Sequence, residues 1–499
     1  MARPDTRRSA PDADAPDPNR WRALSVTLVA GFMSLLDVSI VSVALPSLQQ
    51  SLGADSAAVQ WVVSGYALTF GLALVPAGRL GDALGRRRVF LGALAAFVLF
   101  SGLAGAAPNI GLLIAARLAQ GLAAGALAPQ NSGLIQQLFR DAERGRAFGM
   151  FGATVGISTA VGPVVGGLLL ALAGGPGGWR WIFLVNVPIG VVALVLAARL
   201  LPRGTGGGRT GHIDVVGGLL LGGAVLAVLL PLAQAESGGI ARLWWLFVVG
   251  AALVAVFTVW ERRVLARGGD PLLDPRLLTS TRGFATGAAL GTVYFLGFSG
   301  IWLVFAVFLQ SGLGYTPLQS GLSVTAFALG SAVSAAVGGR LVERFGRRLT
   351  VIGLAGVLTG LVVTIAVVLL VPAGALMWAM GPSLLIAGIG GGLVISPNIT
   401  LTLREVPVRM AGSAGGALQT GQRVGAAIGT AALPGVFYLV LGATGQDFPV
   451  AAAVALGCAV LSVTAAFVIA VLDLRHERSM ARRRCSEEET HSFDHAAHA

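Results

Sequence analysis

About fourteen apolar stretches follow one another from Ala23 to Val471, each with the ~20 residues that a helix needs to cross a hydrocarbon core of roughly 30 Å. The arginines then orient them. With a cytoplasmic N-terminus, only Arg180 and Arg242 sit in outer loops and only Arg117 and Arg423 lie deep inside spans. That leaves 31 of the 35 basic residues, all of them Arg, on the cytoplasmic side. A bias of basic residues toward every second loop is the positive-inside pattern of a polytopic membrane protein. An even number of spans puts both termini in the cytoplasm, and the plasma membrane is the expected location.

Charged residues make up 12% of the chain, about half of what a soluble protein carries. The net charge of +12 therefore reads as the orientation signal plus attraction to anionic lipid, and no basic patch interleaved with aromatics points to nucleic acid. Cys458 in the last span and Cys485 in the tail differ in depth, so no disulfide is expected. His491, His495 and His498 belong to a solvated tail, and no metal site is expected.

Residues 1–22 form a cytoplasmic tail rather than a signal peptide, because a full span follows directly. Residues 23–200 hold six spans, 201–283 an inserted helix pair with a surface linker, 284–472 six more spans, and 473–499 a charged tail predicted to be disordered. One internal repeat supports two parallel halves. Gly78 to Arg88 joins spans two and three, and the similar Gly338 to Arg348 joins spans ten and eleven. Two such bundles are a way to build alternating access around a midplane site.

Asp37 lies about 21 Å into the first span at 1.5 Å per residue, and Arg117 reaches a similar depth from the outer side. Intramembrane charges are costly and by default functional. Equal depth fits either a structural ion pair or a proton-coupling site. A nearby cation favours an ionised carboxylate and loss of water favours a protonated one, so a site that changes its hydration can load and release a proton. In the loop Gly78–Arg88, the arginines orient the chain, but Asp82 has a second possibility. Its carboxylate can face the helix N-terminus at Met410 to Ser413, where the charge is favoured by up to about 1–2 kcal/mol, and so latch the cytoplasmic side. Gly78, Arg79, Gly81, Asp82, Gly85 and Arg86 form this candidate gate. Span five carries Gly156, Gly162, Pro163, Gly166 and Gly167, which suit close helix packing and a kink. Arg423, beside Gln419 and Gln422, must pair, reach water or meet a ligand.

Together these residues resemble the major facilitator superfamily, and in particular its fourteen-helix drug:proton antiporters. Leu36 to Pro46 looks like that family's first-helix motif, and Gly78 to Arg88 like the superfamily loop motif. Arg117 to Gly125 resembles the fourth-helix motif, whose Arg is implicated in proton transfer. Gly156 to Gly167 is similar to the antiporter motif of exporters, and Trp179 to Gly190 to the sixth-helix entry. The resemblance implies an all-α membrane fold of two six-helix bundles plus two inserted helices. It also implies export of drugs, dyes or antibiotic-like molecules, driven by the proton gradient without a cofactor, by a monomer that is not an enzyme. Exporters of divalent organic cations in this family tend to carry extra acidic residues in the later helices. None occurs here, so a neutral or monovalent lipophilic substrate is expected, met by Tyr66, Tyr294, Trp302, Gln419 and Arg423. Proton-coupled import of a metabolite or anion is the alternative, favoured by Arg423 and opposed by the span-five motif. An ATP-driven pump is excluded: a Walker A loop needs Lys, which the chain lacks.

Overall fold

Lipid offers no partner to backbone N–H and C=O groups, so a chain this apolar satisfies them within helices. The computed structural model describes residues 18–175, 177–202, 214–235, 238–281 and 283–497. The first half contains α1 (Arg20–Leu52), α2 (Ser56–Leu84), α3 (Arg86–Ala106), α4 (Ile110–Leu138), α5 (Asp141–Ala173) and α6 (Arg180–Leu200). The inserted pair is α7 (Val215–Ala233) and α8 (Trp245–Ala266). The second half contains α9 (Phe284–Gly312), α10 (Pro317–Phe345), α11 (Arg347–Leu370), α12 (Ala373–Thr402), α13 (Ala411–Ala443) and α14 (Phe448–Ala497). Among the described residues, 13 segments are long and apolar enough to cross a membrane. The remaining expected span, α5, has a shorter apolar run at Val164–Ala173 and is held between α1 and α10.

The tail departs from expectation. Instead of losing structure after Asp473, the chain continues as helix to Ala497. No Gly or Pro occurs after Gly457 to end it. Residues 1–17 lie outside the described residues, as do the side chains of Cys485, His491, His495 and His498.

Each half has its own apolar interior, and the halves meet along α2 with α13 and α5 with α10. At the end that carries the Gly78–Arg88 turn both seams close on glycine. A Cβ on Gly412 would stand 2.5 Å from the Gly78 carbonyl oxygen, and one on Gly145 2.5 Å from that of Gly339. Between the seams lies a core shared by both halves, with Phe139, Phe148 and Phe151 meeting Ile399, Leu403 and Leu418. This end faces water when it opens, so the hydrophobic effect acts on it at about 1.5–3 kcal/mol per large side chain buried. In hydrocarbon that driving force is absent and packing must serve instead. At the end that carries the Gly78–Gly412 contact and this shared core, the structure is closed.

The inserted pair is not a free appendage. Helix α7 lies on α2 and α13, with Val225 and Leu229 against Leu68, Val424 and Ala427. Helix α8 packs on α7, where Gly250 meets Val228 and Ala227. At the start of α7, Asp214 caps the helix and accepts from the Trp260 indole at 2.9 Å. The buried Glu261 accepts from Leu273 N at 3.3 Å and so fixes the following linker. On the first half, Arg20 ties the start of α1 to Glu143 of α5 with hydrogen bonds of 2.9 and 2.8 Å, which hold the Glu143 carboxyl below its ordinary range.

The repeated loops share a turn and differ in their charges. Gly85 (φ +96°) and Gly346 (φ +52°) both occupy the left-handed region. Arg86 and Arg347 follow them and are both buried. Arg347 pairs with Asp473 of α14 at 2.6 Å and donates to Asn398 at 2.8 Å. Removing one partner of a buried pair costs about 3–5 kcal/mol. Asp473→Asn is thus expected to lower the melting temperature of the purified protein by several degrees, and Asp473→Glu by less. Unchanged melting in both would show that the pair does not hold α14 to α11.

Candidate functional site

Asp37 and Arg117 meet. Both are buried, and Arg117 Nη1 donates directly to Asp37 Oδ2. The other carboxylate oxygen accepts from Gln120 Nε2 and from Asn186 Nδ2, each at 3.1 Å. Gln120 also accepts from Arg117 at 2.8 Å, and Asn186 reaches Ser101, whose hydroxyl donates to Phe183 O at 2.9 Å. Arg117 Nε donates to Val62 O at 3.0 Å, and its guanidinium lies 4.1 Å from the centroid of the Tyr66 ring. Four helices, α1, α2, α4 and α6, thus converge on one carboxylate. Sequence reasoning did not single out Gln120 or Asn186. Gln120 follows Arg117 by three residues and therefore shares its helix face, and Asn186 is the lone amide of an apolar span.

The arrangement has a definite chemistry. A buried ion pair repays its desolvation only with good geometry and satisfied remaining groups, and here both oxygens have donors. A proton on Asp37 would remove the counter-charge from Arg117, which keeps Val62 O, Gln120 and the Tyr66 face. Tyr66 itself is buried and donates to Ser34 O at 2.9 Å. It lies within this charge cluster, whereas the sequence places it among the substrate candidates.

Asp82 faces the start of α13. Oδ1 accepts from Gly412 N at 3.0 Å and Oδ2 from Ser413 N at 2.8 Å. These are first-turn N–H groups that lack helical partners. Arg86 binds Asp82 Oδ1 at 2.9 Å, Gly133 O at 2.6 Å, and Val408 O just before α13. Gly78 and Gly81 allow the approach: a Cβ at Gly78 would collide with Gly412, and one at Gly81 with Gln130 of α4. Arg79 stands 3.7 Å from Asp270 of the linker. Of the candidate gate residues, Gly78, Asp82 and Arg86 thus contact the second half, while Gly81 packs on α4 and Arg79 reaches the linker.

The α5 glycines divide. Gly162 and Gly166 lie against Ser39 and Ile40 of α1, one turn beyond Asp37. Gly156 approaches Ala332 of α10, while Gly167 has open space beside it and no packing role. The Pro163 side chain lies outside the described residues. The substrate candidates also divide. Gln419 reaches Ala128 O and Ser132 of α4, both at 3.4 Å, and Arg423 lies over Phe70 of α2 at 4.4 Å. Tyr294 and Trp302 sit instead inside the second half. There Tyr294 stacks on Phe298 at 5.3 Å, and Trp302 packs on Phe327 at 4.8 Å.

Two predictions follow from this geometry. Asp82→Asn keeps an acceptor but loses the charge facing the helix terminus, a loss of about 1–2 kcal/mol. The apolar core beside it is larger, so opening should become about 5–30-fold easier rather than complete. Thiol labelling of a cysteine placed at the cytoplasmic seam reads this, and an unchanged rate removes the latch role. Arg117→Lys cannot serve Val62 O, Asp37 and Gln120 at once, so transport should fall to about a tenth or less. Wild-type transport by the Lys variant would mean that charge alone matters there.

A Major Facilitator Superfamily profile matches residues 27–212, 209–430 and 287–495. A probable actinorhodin transporter of Streptomyces coelicolor is 36% identical over 442 residues, 87% of this chain and 75% of the relative. The puromycin resistance protein of Streptomyces alboniger is 36% identical over 422 residues, 84% of this chain and 82% of the relative. Among solved structures, the human organic anion transporter MFSD10 superposes with a TM-score of 0.62 at 17% identity, covering 90% of this chain and all of that one, a likeness of fold. The chain belongs to the major facilitator superfamily, in its family of fourteen-helix drug:proton antiporters.

Proposed function

We propose that this chain, as a monomer in the plasma membrane with both termini cytoplasmic, exports lipophilic small molecules in exchange for protons. The observation that carries the reading is the buried Asp37 carboxylate, held by Arg117, Gln120 and Asn186 next to the α5 glycines. A proton taken up there from outside releases the ion pair. Relaxation of α1 against α5 at Gly162 and Gly166 then passes to the contact between the halves. Export is supported by relatives that are antibiotic transporters and resistance proteins, including a tetracenomycin C resistance and export protein 31% identical to this chain. A dication fits poorly, because Asp37 is already committed to Arg117 and an unpaired second charge is costly at that depth.

Everted vesicles with a fluorescent dye supplied in the bath test the reading. An inward-directed proton gradient in the cellular sense should drive dye in the export direction, and dissipating the gradient should stop it. Accumulation in the import direction would overturn export. Asp37→Asn should abolish gradient-driven movement, about 100-fold or more below wild type as for loss of an essential proton-transfer group, with the protein still inserted. A variant that pumps at the wild-type rate would remove Asp37 from the coupling.

A further inference from the structure

Arg423 stands about 18 Å along α13 from its start at Ala411, at 1.5 Å per residue, which is deep within the hydrocarbon. A cation at that depth needs a counter-charge, hydrogen bonds or water. The other arginines that are buried near the site each have one: Arg117 has Asp37, Arg86 has Asp82 and Arg347 has Asp473. Among the described residues, Arg423 has neither an ion pair nor a hydrogen bond. Its one charge-compensating contact is the face of Phe70 at 4.4 Å. A cation–π contact recovers only part of the desolvation of a guanidinium.

The position matters as much as the missing partner. Arg423 is on the second half and reaches across to α2 of the first. It lies one helical turn outward of Gln419, whose amide touches α4 at Ala128 and Ser132. Below Gln419 the halves are sealed by the glycine contact of Gly78 with Gly412 and by the shared apolar core. Arg423 is half-buried and stands where the second half meets α2 of the first, one turn along α13 from that seal. A ligand held between the halves passes this point.

Nearby, positive charge is in excess. Asp37 is already shared by Arg117, Gln120 and Asn186. The Tyr66 and Phe70 rings, 6.2 Å apart, lie between Arg117 and Arg423, and each ring carries one guanidinium on a face. With Asp37 ionised the group carries one excess positive charge, and with Asp37 protonated it carries two. We infer that Arg423, backed by Phe70, is the anion subsite of the transport route, and that the preferred cargo is an aromatic molecule bearing an acidic group, a carboxylate or an ionised phenol. The guanidinium supplies planar paired donors for such a group, and the adjoining rings supply a face for its aromatic body. This rests on the export reading for its direction but not for the binding itself.

Equilibrium binding to the purified full-length protein, with no gradient, tests the inference. Fluorescein and rhodamine 123 share a xanthene ring system and differ in charge, anionic against cationic, and Nile red is a neutral reference. The wild type should bind fluorescein at least about tenfold more tightly than rhodamine 123. Arg423→Gln should reduce that ratio by about tenfold or more, and Arg423→Lys should keep part of it because the charge remains. The wild-type comparison needs no variant, so misfolding of a substituted chain leaves the test intact. No measurable fluorescein binding, equal or tighter binding of rhodamine 123, or an unchanged ratio in Arg423→Gln would each overturn the anion subsite. Vesicle transport of the same dyes is read separately. If fluorescein binds as expected but no dye moves under a proton gradient, the export reading fails and the subsite stands.

Discussion

A charge in hydrocarbon must find its counter-charge, and this requirement determines where the helices of this protein stand. Asp37 draws α1, α2, α4 and α6 together through Arg117, Gln120 and Asn186. Asp473 and Arg347 likewise hold α14 to α11 in the second half. Both pairs lie within one half, so they persist when the halves rock against each other. Asp82 differs, because its acceptors face the first turn of α13 across the boundary. Its bonds can break without leaving either half incomplete, which suits a latch.

The latch does not act alone. One charge at a helix terminus contributes about 1–2 kcal/mol at most. The core beside it that includes Phe139, Phe148, Phe151, Ile399, Leu403 and Leu418 contributes several times that when burial removes it from water, at about 1.5–3 kcal/mol per large side chain. Glycine then lets the two backbones approach at Gly78 with Gly412 and at Gly145 with Gly339. Burial supplies most of the closing energy, while the carboxylate specifies the register in which α2 meets α13.

Much of this was legible from residue order alone. Counting residues from the ends of the spans places Asp37 and Arg117 at one depth, and preference of a carboxylate for a helix N-terminus makes the Met410–Ser413 start of α13 a candidate partner of Asp82. Other features depend on contacts distant in sequence. Asn186 carries no charge and does not stand out in an apolar span, yet it donates to Asp37 across α6 and α1. Asp473 lay beyond the last predicted span, and only the packing of α14 on α11 identifies it as the partner of Arg347. Tyr66 was legible as an aromatic in a span, but its burial beneath Arg117 was not. The charged composition of the tail points to disorder, but the lack of any helix-breaking residue after Gly457 lets the helix continue to Ala497.

The inserted pair makes the two seams unlike. Helix α7 covers the line where α2 meets α13, and α8 lies outside it with Val248, Val254 and Val256 exposed. Along α5 and α10, the described residues Val164, Leu168, Leu329 and Val333 are exposed without such a cover. A molecule dissolved in the bilayer therefore meets a screened flank on one side and a flank bounded by acyl chains on the other. On that second flank acyl chains are the direct neighbours of α5 and α10, so any parting of these two helices displaces lipid, and the fluidity of the surrounding membrane bears on it.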